Sequence, residues 1–202
     1  MKVKICGITN SEDALNCEQL GADALGFILY RGSKRFLSTD NLISVTKNLS
    51  PFTLKVGVFV NESPQIINSI SKEARLNIVQ LHGDETPEMI EKINLPVIKS
   101  FRIKSDFDFN LLNNFKNCSF LLDSYSPALY GGTGSTFNWD IIPEQIRSKI
   151  ILSGGISIDN IHKIIREIKP AAIDVSSSLE EYPGKKNIKK ILDFFTVMNK
   201  LK

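Results

Sequence analysis

Polar side chains capable of acid–base chemistry lie near the ends of otherwise apolar segments of this chain. Lys4 and Cys6 are two residues apart in the first segment, and Gln80 and His82 repeat that spacing in a later one. In a β-strand this spacing places both members of a pair on one face. Asp123 ends a third apolar segment. A thiol, an imidazole and a carboxyl group can each donate or accept a proton, and several such groups near strand ends are more easily explained by a functional site than by separate polar groups of the core.

The elements that must position these groups recur along the whole chain of 202 residues. Eight short runs are predicted to be strands: residues 3–6, 24–29, 54–60, 78–81, 97–101, 120–123, 150–152 and 172–175. Most are continuously apolar, which is typical of parallel strands covered on both faces. Helical patterns separate most of them, at about 25 residues per unit, which predicts an α/β fold. We expect one domain over residues 1–202, a (β/α)8 TIM barrel, with a doubly wound open sheet as the alternative.

Capping residues predict where the first helices begin and end. Ser11 is the expected N-cap of the first helix, with acidic residues in its first turn, and Gly21 is expected just past its end. Ser63-Pro64 and Thr86-Pro87 each predict a helix start with proline at the first helical position.

The later helices are predicted from the same signals. One begins at Ser157 or Asp159, runs through Ile168 and ends before a proline. Residues 106–117 are polar and rich in asparagine, so they form the weakest helical segment. The last helix is expected over residues 187–200, with its apolar face formed by Ile188, Ile191, Leu192 and Phe195.

In such a barrel the functional site lies at the C-terminal ends of the strands. The polar residues expected to converge there are Lys4, Cys6, Gln80, His82, Lys99, Asp123, Asp174 and Ser176. Glycines and small hydroxyl residues follow the last two strands, as Gly154, Gly155, Ser176 and Ser177. They predict a phosphate site, because backbone N–H groups must approach a phosphate closely. The long loop 124–137 holds three glycines that would let it fold over a ligand, and it is not a Walker A loop.

Charge and cysteine content exclude several classes of protein. The formal net charge is only +3 and both signs are interspersed, so no nucleic-acid-binding surface is predicted. Three cysteines without a CxxC pair predict neither a disulfide framework nor a zinc site, and two histidines predict no histidine-rich metal site. No apolar run approaches the ~20 residues that span a bilayer, and no secretory signal pattern is visible at the start. We expect a cytoplasmic protein.

In combination, ten motifs spread over nearly the whole chain resemble the phosphoribosylanthranilate isomerase family. They are KICGIT at 4–9, GF at 26–27, SKR at 33–35, VGVFVN at 56–61, QLHGDE at 80–85, LLD at 121–123, GGTG at 131–134, SGG at 153–155, DVSS at 174–177 and PGKK at 183–186. The chain departs from the common pattern at Lys34, Ser135 and Ser178. These departures affect loop rigidity and phosphate contacts but no candidate for catalysis.

The resemblance implies an Amadori rearrangement of N-(5′-phosphoribosyl)anthranilate, an aminoaldose, to the aminoketose, with no metal or organic cofactor. It assigns Cys6 as general base and Asp123, which must be protonated, as general acid. Arg35 is matched to the arginine facing the anthranilate carboxylate, which a planar guanidinium can bind bidentately. Competitors for this role are Arg31, Lys34 and Arg102. Asp174 and His82 also match the family, but we assign them no chemical step.

Several alternatives remain from the sequence. We hypothesise that the ammonium of Lys4 stabilises a Cys6 thiolate, since a thiol with an ordinary pKa is a poor base at neutral pH. Another phosphosugar isomerase of this fold is the nearest alternative, such as the histidine-pathway isomerase family, which uses paired aspartates with one in the first strand, where this chain has Cys6. A second alternative is not an enzyme at all but a barrel that binds a phosphate compound without catalysing a reaction. The expected partner is a small phosphorylated substrate, and the chain is expected to be a monomer or a homodimer.

Overall fold

The computed structural model describes residues 1–124 and 136–201. The GGTG motif at 131–134 and most of the loop 124–137, which is expected to fold over a ligand, lie outside these described residues. Eight parallel strands form a closed barrel: β1 Lys2–Cys6, β2 Ala24–Ile28, β3 Leu54–Phe59, β4 Ile78–Leu81, β5 Val97–Ile103, β6 Cys118–Ser124, β7 Ile150–Leu152 and β8 Ala172–Val175. Each strand pairs with the next, and β8 pairs with β1. The barrel prediction is confirmed, and the open sheet is excluded.

Helices and short helical turns connect the strands. The helices are α1 Ser11–Gln19, α2 Thr39–Thr46, α3 Pro64–Glu73, α4 Pro87–Ile90, α5 Glu144–Arg147, α6 Ile161–Lys163 and α7 Ile188–Lys200. Three 3₁₀ turns cover Phe109–Asn114, Trp139–Ile141 and Ser177–Leu179. The polar segment 106–117 thus forms only a 3₁₀ turn. A two-stranded antiparallel hairpin, β9 Glu180–Tyr182 and β10 Lys185–Lys186, follows the barrel.

Three predictions about helix ends and faces were wrong in detail. The N-cap of α1 is Asn10, whose side chain accepts a hydrogen bond from the Asp13 backbone N–H, and Ser11 is the first helical residue. Either residue type can cap a helix, so the sequence did not separate them. Helix α6 begins at Ile161 and continues as a π-helical turn, Ile164–Ile168. Ser157 lies in the turn before this helix, where its backbone N–H donates to Asn160 Oδ1 and its Oγ accepts from the Asp159 backbone N–H.

The buried face of α7 differs from the predicted one. Ile191 and Phe195 are buried as expected, whereas Ile188 and Leu192 are exposed. Phe194 and Met198 complete the buried stripe with Ile191 and Phe195. An i, i+3, i+4, i+7 stripe can be drawn in two neighbouring phases on this sequence, and the larger aromatic side chain determines which one packs against the barrel.

The barrel interior changes from apolar to polar along its axis. One apolar cluster comprises Ala24, Val56, Ile98 and Leu121, packed with Ile78 and Ile151. The residues two positions further along the same strands are Gly26, Val58, Gln80, Ser100, Asp123 and Ser153. Because alternate residues of a strand share a face, these mostly polar groups occupy the next interior layer, towards the C-terminal ends. The larger apolar core lies between the outer barrel surface and the helices.

Candidate active site

A cavity opens at the C-terminal end of the barrel and brings most of the predicted site residues together. It is lined by Cys6, Ile28, Tyr30, Ser33, Arg35, Val58, Val60, Gln80, His82, Asp123, Ser153, Asp174 and Ser176. Lys99 does not belong to it, contrary to the prediction. Its ammonium donates to the Gly83 carbonyl oxygen and to Glu85 Oε2, because odd-numbered residues of β5 face outward while Ser100 faces the interior.

Cys6 lies beside a buried ion pair. Lys4 Nζ donates to Asp174 Oδ1 at 2.9 Å, and both side chains are almost fully buried. Burial disfavours the ammonium, yet the carboxylate of Asp174 and the sulfur of Cys6 raise the pKa of Lys4. Lys4 is therefore a fixed positive charge next to the Cys6 sulfur.

Burial and the neighbouring charges have opposing effects on the pKa of Cys6. Burial raises the pKa of the Cys6 thiol, Lys4 acts to lower it, and the Asp174 carboxylate raises it again. The net direction is upward. Lys4 therefore acts in the direction that we hypothesised, but its charge is shared with Asp174 and does not outweigh the cost of burying a thiolate.

Gly26 provides the space in which these groups meet. A Cβ atom at Gly26 would lie 2.7 Å from Cys6 Sγ and 2.8 Å from Lys4 Nζ. Strands β1 and β2 pair Cys6 directly with Gly26, so the backbone cannot move away. A residue without a side chain is needed at this position.

Asp123 is the last but one residue of β6, lines the cavity and is 2% exposed. Its Oδ1 accepts a hydrogen bond from the Ser124 backbone N–H at 2.9 Å, and its Oδ2 lies 3.3 Å from His82 Nε2. That His82 contact is within ion-pair distance but lacks the alignment of a hydrogen bond. Asp123 thus presents a carboxyl group to the cavity, with His82 beside it.

The His82 ring is positioned by contacts with Gln80, which in turn contacts Ser100. Its Nδ1 lies 2.9 Å from Gln80 Nε2, which also donates to Ser100 Oγ at 3.2 Å. The other ring nitrogen, Nε2, is directed towards Asp123. The sequence predicted that Gln80 and His82 share a face, and the structure confirms it.

Arg35 lies at the edge of the cavity and is bound by a carboxylate that sequence reasoning missed. Its Nε donates to Glu180 Oε1 at 2.8 Å and its Nη2 donates to Glu180 Oε2 at 2.6 Å. Of its competitors, Arg31 lies over the Phe36 ring and Arg102 pairs with Asp84 beside a separate cavity. Tyr182-Pro183-Gly184 was a visible turn signal between Glu180 and Lys186, and it could have predicted the hairpin that places Glu180 here.

The loops after β7 and β8 are tied together near the cavity. Gly154 and Gly155 have φ angles of +88° and +63°, a region that favours glycine. A Cβ atom at Gly154 would lie 2.7 Å from the Ser124 backbone nitrogen. Ser178 Oγ donates to the Ile156 carbonyl oxygen at 2.6 Å, which joins the two loops.

Ser176 and Ser177 follow β8 directly. Ser176 Oγ donates to the Cys6 carbonyl oxygen at 3.0 Å and lines the cavity, whereas Ser177 begins the short 3₁₀ turn behind it. Among residues 1–124 and 136–201, no cluster of three potential metal-ligating side chains is present. Within the same ranges, no helix has the length and apolar character needed to cross a membrane.

Comparison with known proteins places these features in one family. Residues 3–197 match the family model described as N-(5'phosphoribosyl)anthranilate (PRA) isomerase. An N-(5'-phosphoribosyl)anthranilate isomerase of Trichlorobacter lovleyi is 45% identical over 196 residues, covering 96% of each chain.

Solved structures agree with that match. A phosphoribosyl anthranilate isomerase from Thermotoga maritima has a TM-score of 0.91 at 39% identity, covering 99% of both chains. A structure of this isomerase in complex with reduced 1-(o-carboxyphenylamino)-1-deoxyribulose 5-phosphate has a TM-score of 0.88 at 38% identity and the same coverage. A further Thermotoga maritima structure, described as monomers generated from the dimeric enzyme, has a TM-score of 0.88 at 36% identity, again covering 99% of both chains.

Proposed function

The chain belongs to the N-(5′-phosphoribosyl)anthranilate isomerase family, and from that premise we propose the roles of the groups in its barrel cavity. It is an isomerase of tryptophan biosynthesis that converts N-(5′-phosphoribosyl)anthranilate to 1-(2-carboxyphenylamino)-1-deoxyribulose 5-phosphate by an Amadori rearrangement. The single observation that supports the site assignment is that Cys6 and Asp123 line one cavity from two non-adjacent strands of the closed barrel, β1 and β6.

Asp123 is the proposed general acid. It donates its proton to the furanose ring oxygen of the substrate, the bond from this oxygen to C1 breaks, and the nitrogen lone pair forms a protonated imine (iminium) with C1, since the nitrogen keeps its own proton. The resulting carboxylate of Asp123 stays hydrogen-bonded to the Ser124 backbone N–H and faces His82. Both contacts stabilise the negative charge that develops on Asp123 as the ring opens.

Cys6 is the proposed general base. Its thiolate takes the proton from C2 of the ring-opened, protonated imine, and the electron pair of the broken C–H bond forms the C1–C2 double bond of the neutral enolamine, which tautomerises to the ketone. The reacting enzyme thus carries a thiolate at Cys6 and a proton on Asp123. The alternative form carries a thiol at Cys6 and a carboxylate at Asp123. Both forms hold the same number of protons and differ only in which of the two residues holds one of them. Lys4 favours the reacting form, because its ammonium faces the sulfur.

Arg35 and residues of the loops after β7 and β8 are proposed to bind the two ends of the substrate. Gly154, Gly155, Ser176 and Ser177 are proposed to hold the phosphate through backbone N–H and hydroxyl groups. Arg35 is proposed to bind the anthranilate carboxylate, and Asp174 acts through Lys4. Positive φ angles at both glycines and the position of Ser176 in the cavity wall support this division.

Turnover tests this function directly. Purified protein is given freshly made phosphoribosylanthranilate in buffer containing a metal chelator, and the loss of anthranilate fluorescence is followed while the ketose product is identified by chromatography. We expect conversion to the ketose. A folded protein that binds the substrate without converting it would instead support a phosphate-binding barrel without catalysis.

A second copy of this chain is a proposed partner. At the N-terminal end of the barrel, an apolar cavity of about 370 Å³ is lined by Val56, Ile78, Ile98 and others, beside Phe52 and Leu54. Phe52 is 93% exposed and Leu54 is 41% exposed. The dimeric form of a similar enzyme supports a homodimer, and the exposed apolar side chains support this face as its interface. Sedimentation equilibrium is expected to give a dimer for the wild type and a monomer for Phe52→Ser. A wild type that stays monomeric at all concentrations would overturn the proposal.

A cytoplasmic location is also proposed. Cys6, Cys17 and Cys118 are all free thiols in the structure, which suits a reducing compartment.

A further inference from the structure

Glu180 is a buried carboxylate that the proposed chemistry does not use. It is 5% exposed and begins the hairpin β9–β10, outside the barrel strands. A carboxylate in such a place must be paired, because an unpaired buried charge is strongly unfavourable. Two cations surround it, Arg35 and Lys186. Burial acts to raise the pKa of Glu180, but the hydrogen bond from Arg35 and the charges of both cations lower it overall.

The contact between Glu180 and Arg35 uses one specific edge of the guanidinium. Nε and Nη2 donate to the two carboxylate oxygens, a parallel bidentate arrangement. A guanidinium has five N–H groups, of which Nη1 carries two and Nη2 carries two. The Nη1–Nη2 edge therefore keeps N–H groups for a second acceptor while Glu180 holds the Nε–Nη2 edge.

The aliphatic part of the Arg35 side chain runs along the turn that follows β1. A Cβ atom at Gly7 would lie 2.6 Å from Arg35 Cδ and 3.2 Å from Ser176 Oγ, so the aliphatic part of Arg35 crosses the turn directly after Cys6. Gly7 has a φ of +81°, and its lack of a side chain permits the crossing. Arg35 itself lines the cavity together with Cys6 and Ser176.

Lys186 connects the same carboxylate to the end of β1. Its ammonium is fully buried and donates to Glu180 Oε1 at 3.1 Å, to the Cys6 carbonyl oxygen at 2.7 Å and to the Ser176 carbonyl oxygen at 3.2 Å. Glu180, and through it Arg35, is therefore held at a fixed place relative to the strand ends that carry Cys6 and Ser176.

We propose that Glu180 is a positioning residue for substrate specificity: it holds the Nε–Nη2 edge of Arg35 so that the Nη1–Nη2 edge faces the cavity and receives the aryl carboxylate of the substrate. Lys186 fixes Glu180 relative to Cys6. This inference rests on the proposed binding role of Arg35 and extends it to a residue that touches no substrate.

The test measures carboxylate discrimination rather than turnover. Calorimetry compares the binding of two ligands, reduced 1-(2-carboxyphenylamino)-1-deoxyribulose 5-phosphate and the counterpart made from aniline, which lacks the carboxylate. We expect the wild type to prefer the carboxylated ligand by about 10- to 100-fold, as for one charged bidentate contact. Arg35→Met should abolish this preference. Glu180→Gln should reduce it at least fivefold while binding of the aniline ligand stays within twofold of wild type.

A matched control and a second variant keep the result interpretable. Asp193→Asn removes a carboxylate from an exposed ion pair with Lys189 on α7 and should leave both dissociation constants unchanged. If Glu180→Gln does not fold, because it leaves two buried cations together, Glu180→Asp is used. It keeps the charge but shortens the reach to Arg35 by one methylene, and it should also reduce the preference.

The outcomes separate this inference from the proposed function. A wild type that binds neither ligand would contradict the proposed substrate class itself. A wild type that discriminates between the ligands, with a folded Glu180→Gln or Glu180→Asp variant that discriminates equally well, would overturn only the positioning role of Glu180.

Discussion

Lys4 of the first strand and Asp174 of the last strand form a buried ion pair at 2.9 Å across the seam that closes the barrel. The two residues are direct partners in the β1–β8 register. Closure of the barrel therefore also assembles the charges next to Cys6. Removal of one partner would leave an uncompensated buried charge, which is strongly unfavourable.

Lys4→Met is predicted to suppress ionisation of Cys6. The Lys4 ammonium acts to lower the pKa of the thiol, so its loss should raise that pKa further and slow alkylation of Cys6 by iodoacetamide about tenfold at fixed pH. Mass spectrometry of the Cys6 peptide between pH 7 and 10 measures the rate. Lys2→Met, which removes an exposed ion pair from the same strand, is the control. Unchanged titration of Cys6 in Lys4→Met would contradict the role given to Lys4.

Gly26→Ala is predicted to impair catalysis more than stability. The new Cβ would lie 2.7 Å from Cys6 Sγ, so the sulfur or the Lys4 ammonium must move. Because a small misplacement of a reacting group can cost about 10²-fold, we expect kcat to fall about 10- to 100-fold in a folded protein. In the comparison variant Gly57→Ala the added Cβ meets Leu76 and Phe59 in the core instead. That variant should lose about 1–3 kcal/mol of unfolding free energy but keep its kcat, and the reverse pattern would refute the prediction.

Acidification is predicted to remove a stabilising contribution of Glu180. Its pKa in the folded protein lies below the ordinary value of 4.5, so the folded state binds its proton less readily than the unfolded chain does. The contribution is fully present above about pH 5 and is lost as the pH falls from about 4.5 through the folded-state pKa. Urea unfolding between pH 6 and 3 should therefore show a weaker pH dependence for Glu180→Gln than for the wild type. Parallel curves would exclude a stabilising role for the Glu180 charge.

Gly154→Ala is predicted to weaken phosphate binding. Its φ of +88° and the 2.7 Å approach of a Cβ to the Ser124 nitrogen both require the loop to move. We expect KM for the substrate and the inhibition constant of inorganic phosphate to rise together, each about tenfold or more. Gly21→Ala is the control for backbone strain alone, since its φ is +109° but its Cβ would approach only Phe195, at 3.8 Å. It should cost about 1–2 kcal/mol of stability and leave KM unchanged, and an unchanged KM in Gly154→Ala would argue against the phosphate assignment.

Strand positions and the interior face of the cavity were predictable because both depend on short-range patterns. Continuous apolar runs identified all eight strands, and the period of two placed Cys6 with Lys4 and His82 with Gln80. The same rule would have turned Lys99 outward once Ser100 was assigned to the interior. The prediction for Lys99 was wrong because this residue was assigned to the cavity without reference to its strand neighbour Ser100.

The partners of the cavity residues were not predictable from spacing. Glu180 reaches Arg35 across 145 positions, and Lys186 reaches the Cys6 carbonyl across 180. Such contacts depend on closure of the barrel and on the hairpin after β8. The choice between Asn10 and Ser11 as helix cap, and the phase of the buried stripe on α7, similarly depend on packing rather than on the local pattern.

The most direct test of the account is a single-turnover measurement with enzyme in excess, using phosphoribosylanthranilate with hydrogen or deuterium at C2 of the ribose. Anthranilate fluorescence reports the rate constant for the wild type, Cys6→Ser and Asp123→Asn, each verified as folded by circular dichroism. We predict rate constants about 10²- to 10⁴-fold lower for both variants, and a primary isotope effect in the wild type if proton removal from C2 limits the step. A folded Cys6→Ser or Asp123→Asn variant that converts the substrate at the wild-type rate would contradict the assignment of Cys6 as base and Asp123 as acid.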